Sequence, residues 1–82
     1  MVTKKMPQVL IYSTPTCPWC MRTKAFLKEK KVAFKDFDVS SDEPARNQLI
    51  EKSGQLGVPV LDIGGKIIVG FDQKAIEAAL GL

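Results

Sequence analysis

Apolar and polar positions along the chain follow two periods, and the alternation between these periods predicts seven secondary-structure elements. Short apolar runs bounded by turn residues predict four strands, at positions 8–13, 32–39, 58–63 and 66–69. A helical period predicts three helices, from Pro18 to about Lys30, from the segment 40–43 to Gly54, and from Asp72 to Gly81. The predicted order is therefore β-α-β-α-β-β-α.

Capping and turn residues support these boundaries. Ser40 and Glu43 have the spacing of a capping box, and Pro44 suits the first turn of the helix that follows. Asp72 is a candidate N-cap for the last helix, and Gly64-Gly65 supplies a two-residue hairpin turn between the last two strands. The buried faces of the three helices are predicted to comprise Cys20, Thr23, Phe26 and Leu27 in the first, Ala45, Leu49 and Ile50 in the second, and Ile76, Ala79 and Leu80 in the third.

The order of elements restricts the topology. The first strand, helix and second strand fit a right-handed crossover with parallel strands, whereas the last two strands form an antiparallel hairpin. Charged residues at Lys35, Asp36 and Asp38 place the second strand at a sheet edge. A mixed sheet with both faces apolar requires helices on each side. The 82 residues suffice for one core, so a single domain over 1–82 is expected.

Composition excludes several classes of function. The net charge of +3 comes from lysines spread along the chain, which argues against a nucleic-acid partner. The absence of histidine excludes Cys–His and Ser–His–Asp hydrolases, and no Gly-rich phosphate loop is present. No apolar run is long enough for a membrane span, and the polar segment 1–7 does not resemble an export signal. A cytoplasmic location is therefore expected.

The chemistry of the chain is concentrated in Cys17-Pro18-Trp19-Cys20, where a predicted strand gives way to a helix. Cys17 falls at the helix N-cap or just outside it, and Pro18 takes the first helical position. The free N–H groups and the positive end of the helix dipole then favour a thiolate at Cys17. Cys20 lies three residues on, behind Cys17 on the same helical face and close enough to form a disulfide. The pair is a dithiol that can open and close.

A Cys-x-x-Cys motif beside a βαβ pattern is typical of thioredoxin-like redox proteins. The segment Tyr12–Cys20, the dipeptide Val58-Pro59 and the tripeptide Gly70-Phe71-Asp72 follow one another as in the glutaredoxin family. This resemblance covers residues 9–80 and is strongest to small glutaredoxin-like proteins of bacteria and archaea. It implies an α/β thioredoxin fold, with a four-stranded mixed sheet flanked by three helices.

The resemblance also implies roles for individual residues. Cys17 is the expected nucleophile, Cys20 the resolving thiol, and Pro18 stiffens the loop and tunes the redox potential. Pro59 is expected to be a cis-proline packed against the active-site disulfide, which leaves the backbone of Val58 free to pair with an extended substrate. The other residues expected to contact glutathione or a protein substrate are Tyr12, Thr14, Trp19, Gly70, Phe71 and Asp72. Trp19 is expected to be exposed, either as a partner contact or as a rim that shields the disulfide.

Three positions depart from the pattern of glutathione-using members. Thr14 stands where the family often has a lysine that meets a glutathione carboxylate. Gly57 replaces a common threonine, and Val69 replaces the first of two glycines where the γ-glutamyl end would lie. The tripeptide 70–72 is also similar to that of glutaredoxin-like proteins that accept electrons from thioredoxin reductase. Either glutathione or thioredoxin reductase is therefore a candidate electron donor.

The resemblance predicts a dithiol glutaredoxin that reduces protein disulfides and glutathionylated proteins, with glutathione as co-substrate. It also implies a monomer without a metal or a tightly bound cofactor. Two alternative classes remain open. One is a [2Fe–2S] cluster carrier, although such proteins usually have a single-cysteine motif and Pro18 disfavours the cluster. The other is a non-catalytic binding module with a structural disulfide.

Overall fold

The computed structural model describes residues 8–81 and contains the seven predicted elements in the predicted order. The strands are β1 (Val9–Ser13), β2 (Lys35–Asp38), β3 (Val60–Ile63) and β4 (Lys66–Val69). The helices are α1 (Pro18–Glu29), α2 (Glu43–Ser53) and α3 (Gln73–Leu80). The segment 1–7, for which no export signal is expected, lies outside the described residues.

The four strands form one mixed sheet in the order β2-β1-β3-β4. Strand β1 runs parallel to β2 and antiparallel to β3, and β3 and β4 form the predicted hairpin. Gly64 and Gly65 close that hairpin with positive φ angles of 60° and 96°, a conformation that glycine adopts without steric cost. The charged strand β2 lies at a sheet edge, as predicted.

Helices cover both faces of the sheet because β1 and β3 are apolar on both faces. Ile11 packs with the buried residues of α1 and α3, whereas its neighbour Tyr12 packs with those of α2. In β3, Leu61 likewise packs on the face covered by α1 and α3, and Val60 packs on the face covered by α2. The face of α1 and α3 contributes Phe26, Leu27, Ile76 and Leu80, and α2 contributes Ala45 and Leu49. Within residues 8–81 no helix has both the length and the hydropathy needed to cross a bilayer.

Two predictions about α2 are wrong. Asp42, rather than Ser40, caps the helix, because its Oδ1 accepts a hydrogen bond from the Ala45 N–H at 3.1 Å. Ser40 instead lies in the turn after β2, where its N–H donates to Asp38 Oδ1 at 2.9 Å. Ile50 is 42% exposed, because α2 packs through positions four residues apart and Ile50 is rotated away from that face.

The second and third strands are shorter than the sequence predicts. Strand β2 begins at Lys35. The N–H of Val32 donates to the carbonyl oxygen of Leu27 at 2.9 Å, so Val32 belongs to the turn after α1 rather than to the strand. Strand β3 begins at Val60 rather than Val58. The residues between α2 and β3 therefore form a loop, and this loop reaches the N-terminal end of α1.

Candidate active site

Cys17 is the N-cap of α1, as predicted. Its backbone is extended, with φ −96° and ψ 109°, and Pro18 occupies the first helical turn. The Cys20 N–H donates a hydrogen bond to Cys17 Sγ at 3.1 Å. The Cys17 sulfur thus lies at the N-terminus of α1 and accepts a backbone hydrogen bond.

Cys20 is the second free thiol of the site, and its side chain is fully buried. Burial, and secondarily the hydrogen bond with Cys17, raises the pKa of Cys20 to about 12. The backbone N–H of Thr14 and the ammonium group of Lys24 lower the pKa of Cys20, but their effects are smaller than that of burial. Cys17 is partly exposed. The two sulfurs therefore differ: Cys17 is accessible, whereas Cys20 is enclosed and protonated at neutral pH.

The loop before β3 lies against Cys17. The peptide bond between Val58 and Pro59 is cis, as predicted. The Cys17 Sγ lies 4.0 Å from the carbonyl oxygen of Val58. The Pro59 carbonyl accepts a hydrogen bond from the Gly70 N–H at 2.8 Å, which ties this loop to the end of β4. The loop before β3 thus links the sulfur of Cys17 to the end of β4.

An open cleft of about 290 Å³ lies beside this loop. Its lining comprises five of the predicted site residues, Trp19, Val58, Pro59, Gly70 and Phe71. The Phe71 ring lies 6.5 Å from that of Trp19 and packs edge-on against Phe26 at 5.7 Å, so it joins the cleft to the core. Gly70 has a φ of 83°, and a Cβ there would meet no other atom within 4 Å. The cleft is therefore open at Gly70.

Trp19 forms the exposed rim of the cleft, with 55% of its surface accessible. The guanidinium carbon of Arg22 lies 5.0 Å from the centre of its ring, a cation–π distance. The Trp19 carbonyl accepts a hydrogen bond from Thr23 Oγ1 at 2.7 Å. The rim is thus apolar and carries a positive charge.

Tyr12 is not part of the cleft, which corrects the expected ligand contact of this residue. Its side chain has no exposed surface and stacks on Phe37 at 5.2 Å. The hydroxyl group donates to Gln48 Oε1 at 3.1 Å and accepts from Lys52 Nζ at 2.9 Å. Lys52 also pairs with Asp62 Oδ2 at 2.6 Å. Tyr12 therefore joins β1 to α2 on the face opposite α1.

The remaining two predicted residues flank the site through local roles. The Thr14 carbonyl accepts a hydrogen bond from the Cys17 N–H at 3.4 Å. Asp72 is the N-cap of α3, as predicted, and its Oδ1 accepts from the Ala75 N–H at 3.1 Å. The structure places both beside the cleft-forming segments, but neither lines the cleft.

The sequence indicated Lys24 as a long-range contributor to activation of the thiolate, but it did not reveal the polar cluster to which Lys24 belongs. Lys24 Nζ lies 2.8 Å from Asp36 Oδ2, and the other oxygen of Asp36 accepts from Ser13 Oγ at 2.7 Å. The only sequence signal is that Lys24 follows Cys20 by four positions on α1, which places both on one helical face. Its partners come from β1 and β2. Among residues 8–81, no group of three or more Cys, Asp or Glu side chains is arranged to hold a metal ion.

Comparisons with known proteins agree with this geometry. The family model for glutaredoxin matches residues 9–68. A glutaredoxin-like 8.6 kDa protein from the rubredoxin operon of Clostridium pasteurianum is 49% identical over 69 residues, which cover 84% of this chain and 92% of that protein. Glutaredoxin 3 of Escherichia coli is 37% identical over 78 residues, or 94% of each chain.

The fold is similar to that of solved structures as well. Methanoredoxin of Methanosarcina acetivorans superimposes with a TM-score of 0.87 at 29% identity, over 94% of this chain and 87% of that one. The predicted thioredoxin fold is thereby confirmed. Sequence, cleft and fold lead to one assignment: the chain belongs to the glutaredoxin family.

Proposed function

We propose that this protein is a dithiol glutaredoxin that reduces protein disulfides and glutathione mixed disulfides through a reversible Cys17–Cys20 disulfide. Family membership supports thiol–disulfide exchange as the class of reaction. The observation that carries the proposal is the contrast between the two sulfurs. Cys17 is accessible at a helix N-terminus beside a cleft, and Cys20 is buried one turn behind it.

The contrast assigns the order of the steps. The Cys17 thiolate attacks one sulfur of a substrate disulfide, the substrate S–S bond breaks, and the first substrate thiolate leaves. Cys20 then loses its proton and attacks Cys17 Sγ, which releases the second substrate thiolate. Two electrons have passed to the substrate, and the protein holds a Cys17–Cys20 disulfide. Substrate cannot reach the buried Cys20 directly, so the reverse assignment of roles is disfavoured.

Two molecules of glutathione complete the cycle in this proposal. The first attacks Cys17 and releases Cys20 as a thiol, and the second attacks the mixed disulfide to give oxidised glutathione and the Cys17 thiolate. Glutathione acts as a co-substrate, and the cycle needs no tightly bound cofactor. The reaction suits the reducing cytoplasm and a monomeric chain.

The cleft offers contacts to an extended tripeptide. The sheet pairing of β3 begins at Val60, so the backbone of Val58 lies outside it and is placed to pair with a peptide in the manner of strand addition. Trp19 and Phe71 supply apolar walls, and Gly70 leaves room at the floor. The N-terminus of α3 beside Asp72 would favour a carboxylate of the ligand.

A specific observation keeps a second electron donor as the alternative. Val69 is 52% exposed at the end of β4, directly before Gly70, and its side chain adds bulk where the family often has glycine. Together with Thr14 in place of a lysine, this would weaken glutathione binding. Thioredoxin reductase is then the competing donor for the same dithiol.

The donor is tested by side-by-side reduction of the oxidised protein. One cuvette holds NADPH, glutathione reductase and glutathione, and the other holds NADPH and thioredoxin reductase. We expect NADPH consumption in the first. Turnover only in the second would replace glutathione by the reductase, and turnover in neither would return the cluster carrier and the binding module to consideration. Visible absorbance after anaerobic purification would identify the cluster carrier.

The roles of the two cysteines are tested by matched substitutions. Cys17→Ser should abolish all reduction, because no accessible thiolate remains at the cleft. Cys20→Ser should abolish reduction of protein disulfides, which needs the resolving thiol, but retain reaction with glutathionylated substrates. Survival of activity in Cys17→Ser together with its loss in Cys20→Ser for both substrates would invert the assignment.

A further inference from the structure

The second exchange step requires a thiolate at a place that disfavours one. Cys20 is fully buried, and in the reduced protein burial, together with Cys17, raises its pKa to about 12. At neutral pH only a small fraction of this thiol is ionised, yet the thiolate is the nucleophile. Any fixed positive charge near Cys20 would therefore accelerate its attack on Cys17.

Lys24 supplies such a charge. It lies on α1 four residues after Cys20, so that the two side chains share one face of the helix. Its side chain is 24% exposed, so most of the chain up to the ammonium group packs against the protein, whereas its hydrogen bond with Asp36 is exposed. Lys24 is the charged side chain that lowers the pKa of Cys20, and its effect is smaller than that of burial or of Cys17.

The position of Lys24 is fixed by neighbours from two strands. Its Nζ lies 2.8 Å from Asp36 Oδ2 on β2. The Asp36 carboxylate is held in turn by the buried hydroxyl of Ser13 at the end of β1, at 2.7 Å. A lysine at an exposed helical position would move freely in solvent. This one is tied to the sheet beside the cysteines.

We propose that Lys24, held by Asp36, is a positioning residue that stabilises the Cys20 thiolate during its attack on the mixed disulfide at Cys17. The inference rests on the proposed function and adds a group that acts only in its second step. Cys17 and Lys24 act electrostatically on Cys20, and the carboxylates of Asp36 and Asp38 interact with Lys24. Asp36 partly offsets the charge of Lys24, so the net effect is smaller than that of an isolated ammonium.

The test separates the two exchange steps in time. Reduced protein is mixed with 5,5′-dithiobis(2-nitrobenzoate) in a stopped-flow instrument. The Cys17 thiolate attacks the reagent and releases one thionitrobenzoate anion. The Cys20 thiolate then attacks Cys17, breaks the mixed disulfide and releases a second anion. Two phases of equal amplitude therefore report the two cysteines in turn.

Lys24→Met should slow the second phase by about threefold to tenfold near neutral pH. The direction follows because removal of the cation raises the pKa of the attacking thiol, and the loss of thiolate is partly offset by the greater nucleophilicity of the remaining thiolate. The pH profile of the second phase should move to higher pH. The first phase should change by less than about twofold.

Two controls distinguish charge from packing. Lys24→Arg should retain most of the wild-type rate and pH profile, because it keeps a cation at the same place. Lys28→Met removes an exposed lysine one turn further along α1 and should leave both phases unchanged. A shift in the pH profile is a readout that loss of packing alone would not produce.

The outcomes separate this inference from the proposed function. Two phases in the wild type with an identical second phase in Lys24→Met would refute the role of Lys24 and leave the dithiol cycle intact. A slower second phase with an unshifted pH profile, or one that Lys24→Arg does not restore, would also refute it. Absence of the second phase from the wild-type protein itself would instead overturn the dithiol cycle.

Discussion

Removing the hydroxyl group of Tyr12 should destabilise the fold without affecting the cleft. Tyr12→Phe deletes a group that donates to Gln48 at 3.1 Å and accepts from the ammonium of Lys52 at 2.9 Å. A hydrogen bond contributes about 0.5 to 1.5 kcal/mol, and one to a charged group about 1.5 to 3 kcal/mol. Gln48 is exposed and regains a partner from water, and Lys52 keeps its bond to Asp62. We therefore expect a loss of about 1 to 2 kcal/mol.

Urea unfolding followed by far-UV circular dichroism measures this difference. The midpoint should fall while the slope is unchanged, and each kcal/mol should lower Tm by about 4 to 8 °C in a domain of this size. Gln48→Ala is the matched control. It removes only the exposed partner of Tyr12, and we expect it to cost less than about 0.5 kcal/mol.

The functional arm of the experiment addresses the original expectation for this residue. The Tyr12→Phe variant should retain the wild-type KM for glutathione, because the hydroxyl group points towards α2 and away from the cleft. An unchanged free energy of unfolding combined with a raised KM would refute this reasoning. It would mean that the hydroxyl group reaches the ligand and that its contacts with α2 contribute nothing.

Two further predictions concern the pH dependence of stability and the end of α3. Because burial raises the pKa of Cys20 to about 12 in the folded protein, the unfolded chain releases this proton first. Stability of the reduced protein should therefore fall between about pH 9 and pH 12, by up to about 1.4 kcal/mol per pH unit. Urea unfolding at several pH values should show a steeper fall in the wild type than in Cys20→Ser, in which Lys52, whose pKa is also raised, still contributes, and parallel curves would contradict this prediction. Asp72→Ala should lower the free energy of unfolding by about 1 kcal/mol, because the Ala75 N–H loses the hydrogen bond that caps α3. Asp72→Asn keeps a capping oxygen and should lower the free energy of unfolding by clearly less. Equal losses in the two variants would indicate that charge matters there rather than the cap.

Local signals in the sequence predicted the fold and the centre of the site well. The position of Pro18 after Cys17 suffices to begin α1, since proline is favoured in the first helical turn. The pair Gly64-Gly65 suffices to place the hairpin. Such signals depend only on neighbours along the chain, and packing did not override them.

Competition between local signals explains the errors in α2. Ser40 and Asp42 are both good N-cap residues, and the sequence does not say which one the chain uses. The structure uses Asp42, because Asp38 at the end of β2 engages the backbone N–H of Ser40. Which residue caps the helix depends on where the preceding strand ends, and the capping pattern alone does not carry that information.

Contacts between distant residues explain what the sequence could not show. Strand alternation places Tyr12 on the face opposite Ile11 but does not identify which helix covers it. Its partner Lys52 lies 40 positions away, and Asp62 lies ten positions beyond Lys52. The same holds for the bond between Ser13 and Asp36, 23 positions apart. Polar networks of this kind form only once the sheet has brought their members together.

The unequal exposure of the two sulfurs also bears on oxidative damage. A peroxide that enters the cleft would meet Cys17 and oxidise its thiolate to a sulfenic acid, because Cys20 is enclosed. The Cys20 N–H already contacts Cys17 Sγ at 3.1 Å, so the second thiol is held within the same helical turn. Condensation of the two groups releases water and gives a disulfide, which is reducible, before a second peroxide can produce an irreversible sulfinic acid. A buried partner thus protects the accessible one from permanent inactivation.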